Sequence, residues 1–253
     1  MSHHDDHEAE HTPEAIRNRL DQMTGGDYLK DSILGAIDGA VTTFAVVSSV
    51  AGAGLSSSLV IVLGVANMLA DGFSMAAGNF SGTRAENQSA KKYRREEEEE
   101  IESHPEGERE EIRQIFQAKG FEGETLEKVV QTITSDKKRW VDTMIQEEHG
   151  LPLNPPSAIK SALATFAAFL LIGTIPLIAY FLDAAFDTFS GSAFPAACTL
   201  TAAAFFAIGA FKSRFTDQHW FSGGLETLAI GTFAAIMAYL IGYLLRPLIP
   251  DGI

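Results

Sequence analysis

Glutamates are concentrated in one short part of the chain, where ten of them lie between residues 96 and 111. Four of these and two later side chains form pairs three or four residues apart: Glu97 with Glu100, Glu108 with Glu111, and Met144 with Glu148. In a helix each pair shares one face. Carboxylates are hard ligands for divalent cations, and a thioether beside them suits a transition metal such as Fe²⁺. The six residues form a candidate metal-binding set, and a solvated charged helix surface is the alternative.

A second set of polar side chains is embedded in apolar sequence. Asp38 stands near the middle of a long uncharged helix, where a carboxylate is costly and usually functional, although a structural hydrogen bond is the alternative. Asn67, Asp71 and Met75 follow at intervals of four residues and therefore form one helical stripe. These four residues predict a cation path near the middle of the membrane. A carboxyl group in that path can exchange a proton for a cation.

The elements that must position these residues are long apolar helices. Five segments are long enough to cross a bilayer, at about residues 30–51, 57–82, 161–182, 190–211 and 227–245. The mean hydropathy is only +0.06 because polar sequence lies between them. The expected fold is an all-α membrane protein with a cytoplasmic helical metal-binding insert between helices 2 and 3. Helix 2 is expected to continue to Ser103, because Arg84 to Ser103 contains no helix breaker.

The predicted domains follow from this division. Residues 1–27 form a polar tail, 28–82 carry helices 1 and 2, 83–157 form the acidic insert, and 158–253 carry helices 3 to 5. The tail histidines are His3, His4, His7 and His11. A disordered tail is favoured there over a weak metal-scavenging one.

Basic residues predict the orientation of the helices in the membrane. Eleven of them lie beside the same side of the predicted helices: Arg17, Arg19, Lys30, Arg84, Lys91, Lys92, Arg94, Arg95, Lys160, Lys212 and Arg214. Since Lys and Arg are enriched in cytoplasmic loops, the N-terminus and the acidic insert are predicted to be cytoplasmic. Arg246, beyond helix 5, is the exception. An odd number of helices places the C-terminus on the opposite side.

Composition argues against several other classes of protein. The net charge of −14 leaves no basic patch for nucleic acid. The single cysteine, Cys198, excludes an intrachain disulfide and a Cys-rich metal site. No Gly-rich phosphate loop for ATP is apparent. Ile101 and Gln146 stand three residues before His104 and His149, so the Glu-x-x-His pairs of ferritin-like iron enzymes are missing. An enzyme with a prosthetic group is therefore not expected.

Three motifs resemble the signatures of the vacuolar iron transporter family. They are Gly35-Ala-Ile-Asp-Gly-Ala-Val-Thr-Thr-Phe44, then Ala70-Asp-Gly-Phe-Ser-Met-Ala-Ala-Gly-Asn79, then Trp140-Val-Asp-Thr-Met144 followed by Glu148. The resemblance spans about residues 28–247 in the same order. It implies a five-helix homodimer that exchanges Fe²⁺ against protons and moves metal out of the cytoplasm. For a bacterial member it implies the inner membrane.

The resemblance also implies roles for particular residues. Asp38 and Met75 would line the pore, and the six insert residues would bind metal. Asn67 departs from the glutamate that plant and yeast-like members have on helix 2, and Ile145 departs from a second methionine. We hypothesise that Asp71, one turn along, supplies the missing carboxylate.

The sequence therefore predicts a proton-coupled divalent metal transporter in the lipid bilayer. Its cargo would be Fe²⁺, with Mn²⁺, Co²⁺ and Zn²⁺ as further candidates, and the acidic insert would collect the metal. The alternative is a membrane-anchored sensor, storage or iron-oxidising protein that binds metal without transporting it.

Overall fold

A computed structural model describes residues 12–22, 28–190 and 192–249. Its regular structure is helical, and the described residues contain no strand. The predicted tail histidines, His3, His4, His7 and His11, lie outside the described residues.

The described helices are α1 (Pro13–Gln22), α2 (Leu29–Gly52), α3 (Ser57–Ser103), α4 (Pro105–Ala118), α5 (Gly123–Thr134), α6 (Lys137–Glu147), α7 (Ala158–Gly173), α8 (Ile175–Phe186), α9 (Ala193–Lys212) and α10 (Trp220–Leu245). Short 3₁₀ turns follow α9 and α10, at Ser213–Phe215 and Arg246–Leu248. The chain divides into two compact units. One contains the acidic insert, at residues 82–157, and we call the other, at residues 28–81 and 158–249, the apolar unit.

The apolar unit is organised around α2. This helix packs most extensively on α7 and α10, and also contacts α9. Gly35 and Gly39 permit the closest approach, because a Cβ at either position would lie 2.3 or 2.4 Å from the backbone oxygen of Thr165 or Phe169 on α7. Such contacts between backbones require glycine and are typical of packed membrane helices. The two glycines flank Asp38 and so hold its turn of α2 against α7.

Four described helices are long and apolar enough to cross a membrane, or five spans result if one bent pair counts as a single span. The bent pair is α7 and α8, which meet at an angle of 47°. The sequence predicts a third membrane span over residues 161–182, and the structure bends this segment at Thr174. Pro176 lies in the first turn of α8. Proline has no N–H to donate to the preceding turn and its ring crowds that turn, which explains the break.

The helix α3 is 47 residues long and contains residues of both units. Its continuation to Ser103 confirms the sequence expectation. The first two apolar segments are separate helices, as predicted, since α2 ends at Gly52, α3 begins at Ser57, and Gly54 between them adopts a φ of +72°. Only glycine adopts this left-handed conformation at little cost. The carboxylates of residues 96–100 therefore stand on a helix that begins in apolar sequence.

The acidic insert has a hydrophobic core of its own. Ile112, Val130, Trp140, Val141 and Met144 are buried in it, supplied by α4, α5 and α6. These apolar positions recur at helical spacing, which explains why short, highly charged helices pack at all. The insert therefore carries a folded scaffold beneath its charged surface.

Local signals set the ends of the insert helices. Pro105 occupies the first turn of α4, where its missing N–H costs nothing, so α4 can begin at the proline. Asp136 caps α6, since its carboxylate accepts a hydrogen bond from the Arg139 backbone N–H at 2.8 Å. Arg94 of α3 pairs with Asp142 of α6 and joins these two helices.

Candidate metal centre in the acidic insert

Side chains from three parts of the insert converge on one cluster. Glu97 and Glu100 come from α3, Glu108 comes from α4, and Glu148 and His149 follow the last turn of α6. The ligand atoms of Glu97, Glu100 and Glu108 lie within 4.8 Å of one another, as do those of Glu97, Glu148 and His149. Glu97 belongs to both groups. The arrangement can supply four carboxylates and one imidazole to bound cations.

Two of these carboxylates are buried, and each has one oxygen atom with no hydrogen-bond partner among the described residues. Glu97 is 2 % exposed and Glu108 is 5 % exposed. The Oε2 atom of each is buried and has no hydrogen-bond partner within the described part of the chain. A buried carboxylate oxygen without a partner loses its hydration and receives nothing in return. A cation between the two residues would supply the missing interaction.

The electrostatics of the cluster lead to the same conclusion. Burial raises the pKa of Glu108 to about 7, assisted by repulsion from Glu111, Glu97, Glu100 and Glu148 in that order. Burial also raises the pKa of Glu97, although its hydrogen bond to His149 acts in the opposite direction. Like charges crowded in a poorly hydrated site disfavour ionisation. A divalent cation bound among these groups would instead favour their ionised form.

Glu111 lies at the edge of the cluster. It is exposed, and its carboxyl group lies near that of Glu148. Burial and the nearby charge of Glu148 raise its pKa. The structure thus brings Glu97, Glu100, Glu108, Glu111 and Glu148 together.

The neighbouring glutamates of the same run behave differently. Glu102 pairs with Lys137, and that hydrogen bond lowers its pKa. Hydrogen bonds from Gln114 and Arg113 lower the pKa of Glu110. Both glutamates are exposed. The acidic run therefore contains surface glutamates that pair with basic residues and cluster glutamates that face one another.

Met144 occupies the hydrophobic core of the insert. Its side chain is fully buried beside residues such as Ile112 and Trp140. Its backbone oxygen accepts hydrogen bonds from the N–H groups of Glu148 and His149, at 2.9 and 3.3 Å. Met144 therefore helps to hold the backbone of the two candidate ligands that follow it.

His149 is not among the residues that the sequence analysis singles out for metal binding. Its Nε2 atom lies 2.7 Å from Glu97 Oε1, and its ring stacks on Tyr93 at a centroid distance of 4.5 Å. The sequence offers a local signal for His149, because this residue directly follows Glu148 just after the end of α6. The separation of 52 positions between Glu97 and His149 conceals the contact in the sequence.

The residues predicted for a cation path lie in the apolar unit. Asp38 and Asp71 are close enough for their carboxyl groups to interact electrostatically. Asn67, Asp71 and Met75 are half-buried along one stripe of α3, and Asp38 is half-buried on α2. The Thr42 hydroxyl donates a hydrogen bond to the Asp38 backbone oxygen at 2.9 Å. This hydrogen bond does not involve the Asp38 carboxyl group.

Comparison with known proteins shows the family of this chain. The sequence pattern of the VIT family matches residues 29–243. A protein named vacuolar iron transporter from Toxoplasma gondii is 34 % identical over 229 residues, which cover 88 % of this chain and 76 % of that protein. Proteins named vacuolar iron transporter 1 from Eucalyptus grandis and Arabidopsis thaliana are each 32 % identical, with 86 % of both chains covered. The chain belongs to the VIT family.

Proposed function

We propose that this protein transports Fe²⁺ out of the cytoplasm in exchange for protons and collects the metal on its acidic insert. The observation that carries the proposal is the pair of buried carboxylate oxygens on Glu97 and Glu108 that have no hydrogen-bond partner among the described residues. The relatives named vacuolar iron transporter support iron as the cargo. Oxygen ligands with one imidazole also accept Mn²⁺, Co²⁺ and Zn²⁺, which we propose as further cargo.

The acidic insert serves as a cytoplasmic collector in this proposal. Clustered carboxylates raise the local concentration of cations by electrostatic attraction. Since the pKa of Glu108 is raised to about 7, the cluster loses protons readily when a cation arrives near neutral pH. Metal bound in this way is held for transfer to the membrane path.

Asp38, Asn67, Asp71 and Met75 form the membrane path in this proposal. A carboxyl group at this depth is costly unless it has a partner or a cargo. In this proposal the carboxyl groups of Asp38 and Asp71 exchange their protons for one divalent ion. Met75 adds a thioether that suits Fe²⁺ better than Mg²⁺.

The proposed assembly is a homodimer with five membrane helices in each subunit. Half-buried Asp71 and Asn67 lie on α3, which also exposes Val62, Leu69 and Phe73. Polar groups partly open to lipid are unfavourable. A second copy that covers α3 would remove them from lipid and double the number of ligands. The excess of Lys and Arg supports a cytoplasmic N-terminus and insert, with the C-terminus on the other side.

The test is metal uptake by proteoliposomes that contain the purified protein and a pH-sensitive dye. We expect Fe²⁺ or Mn²⁺ to enter under an imposed pH gradient, with an opposing proton flux. Asp38→Ala should abolish both movements. Metal binding without any flux would contradict the proposal and favour a membrane-anchored sensor, storage or iron-oxidising protein.

A further inference from the structure

We propose that His149 is a nitrogen ligand of the insert cluster and sets its preference among divalent metals. With Glu97 and Glu148 it would bind Fe²⁺, Co²⁺ and Zn²⁺ in preference to Mn²⁺ and Mg²⁺. This inference rests on the proposed collection of cations by the acidic insert and adds the chemical class of cation that it selects.

The geometry places the imidazole among the carboxylates. The candidate ligand atoms of Glu97, Glu148 and His149 lie within 4.8 Å of one another, a spacing that allows one ion to contact all three. His149 Nε2 is 2.7 Å from Glu97 Oε1. The ring stacks on Tyr93 with an interplanar angle of 28°, and this contact limits how the imidazole can turn. The nitrogen is therefore held towards the cluster before any ion arrives.

A structural hydrogen bond between His149 and Glu97 accounts for only half of this arrangement. It satisfies Oε1 of Glu97 and leaves Oε2 buried without a partner among the described residues. The Oε2 atom of Glu108, another member of the cluster, is in the same condition. These two buried oxygen atoms indicate a bound cation. This evidence is independent of the large number of glutamates in the insert. A cation bound here would contact both a free carboxylate oxygen and the imidazole nitrogen.

An imidazole changes which metal binds best. Carboxylate oxygens alone suit Mg²⁺, Ca²⁺ and Mn²⁺, whereas imidazole suits Zn²⁺, Fe²⁺ and Co²⁺. A nitrogen ligand therefore strengthens the binding of later transition metals more than that of Mn²⁺, following the Irving–Williams order. His149 would therefore supply the insert with a borderline nitrogen ligand.

The experiment compares full-length protein in detergent with two histidine variants. All forms carry glutamine at the four tail histidines, His3, His4, His7 and His11, so that the tail contributes no nitrogen signal. His149→Gln removes the candidate ligand and keeps an amide that can hydrogen-bond to Glu97. His104→Gln is the matched control, because His104 is exposed in the same unit and contacts Ser103 at 2.9 Å.

Two measurements test the assignment. Titrations with Zn²⁺, Co²⁺ and Mn²⁺ should show that His149→Gln weakens Zn²⁺ and Co²⁺ binding by roughly tenfold or more. Mn²⁺ binding should weaken less, so the preference for Zn²⁺ over Mn²⁺ narrows. Pulsed electron paramagnetic resonance of bound Mn²⁺ should show a coupling to ¹⁴N of imidazole that disappears in His149→Gln. His104→Gln should match the parent protein in both measurements.

Other outcomes would overturn the assignment. Equal weakening of all three metals, or a nitrogen coupling that persists in His149→Gln, would make His149 a positioning residue for Glu97. Unchanged affinities would exclude both roles. If the parent protein binds none of the three metals, the proposed collection itself fails, which separates that failure from the failure of this inference.

Discussion

The buried carboxylates of Glu97 and Glu108 bring oxygen atoms within 4.8 Å of each other, although they stand on different helices. Each keeps one oxygen without a hydrogen-bond partner in the described part of the chain. Two carboxylates so placed repel each other when both are ionised. Stability, metal binding and pH dependence of the acidic insert are therefore linked through these two side chains.

The metal-free insert should become less stable as the pH rises. Glu108 has an ordinary pKa of 4.5 and a pKa of about 7 in the folded protein, so between these values the folded state holds a proton that the unfolded chain has lost. Stability therefore decreases as pH increases across this window. Thermal unfolding followed by the fluorescence of buried Trp140, in a Trp220→Phe background, measures it.

Glu108→Gln should flatten this dependence, because glutamine has no proton to lose. The raised pKa values of Glu97 and Glu111 add changes of the same sign, so the slope should decrease without vanishing. Added Mn²⁺ should stabilise the parent protein most at the alkaline end of the window, where ionised carboxylates are available. If stability decreased equally steeply with pH in Glu108→Gln and in the parent, the raised pKa of Glu108 would be contradicted.

Removing the cluster carboxylates should weaken uptake at low metal concentration. In Glu97→Gln with Glu108→Gln, we expect the half-saturating metal concentration to rise roughly tenfold, with a smaller change in maximal rate. The physical reason is that a collector raises the local cation concentration and adds little once metal is saturating. Initial rates in proteoliposomes at several metal concentrations provide the measurement.

The matched control uses glutamates from the same acidic run. Glu102→Gln with Glu110→Gln removes the same formal charge from residues that are exposed and paired with Lys137 and Arg113. This variant should retain the concentration dependence of the parent. If both double variants behaved alike, the effect would come from net charge and not from the cluster.

Asp71→Asn should abolish transport coupled to protons, as Asp38→Asn should. Each change keeps the side chain's size but removes a carboxyl group that can exchange a proton for metal. Metal entry and internal pH are recorded together in proteoliposomes. Glu226→Gln is the control, since Glu226 is exposed and pairs with Lys212 at 3.5 Å. If Asp71→Asn retained proton-coupled transport, Asp71 would not be the residue that supplies the carboxylate missing at Asn67.

Gly39→Ala should destabilise the apolar unit by about 1–3 kcal/mol, a typical cost of overpacking. The added Cβ would lie 2.4 Å from the Phe169 backbone oxygen, so α2 and α7 must separate. Gly78→Ala is the control, because a Cβ there meets no atom within 4 Å. Thermal unfolding in detergent compares the two, and equal midpoints would refute the close packing of α2 on α7.

Much of the helical structure could be predicted from local sequence. Runs of about 20 uncharged residues predict membrane helices because every backbone group must be satisfied internally in lipid. The continuation of α3 to Ser103 follows from an absence of breakers over that stretch. The break between α7 and α8 has a local signal at Pro176, whereas the uncharged run around it indicates only that the segment is long enough to cross a bilayer.

The composition of the cluster was only partly visible in the sequence. Spacing within one helix identified Glu97 with Glu100 and Glu108 with Glu111, because residues three apart share a face. Spacing could not distinguish these from Glu102 and Glu110, which have the same side chain and lie in the same run. The distinction depends on the packing of the helices, which buries Glu97 and Glu108 and leaves Glu102 and Glu110 exposed.

The sequence by itself determined the helices, the acidic character of the insert and the family resemblance, because these depend on local periodicity, hydropathy and motif order. The tertiary structure alone decided which carboxylates face one another, and it brought His149 to Glu97 across 52 positions. The physical reason is that hydropathy and backbone hydrogen bonding act within a few residues. Ligand convergence instead depends on how the helices pack around Ile112 and Met144.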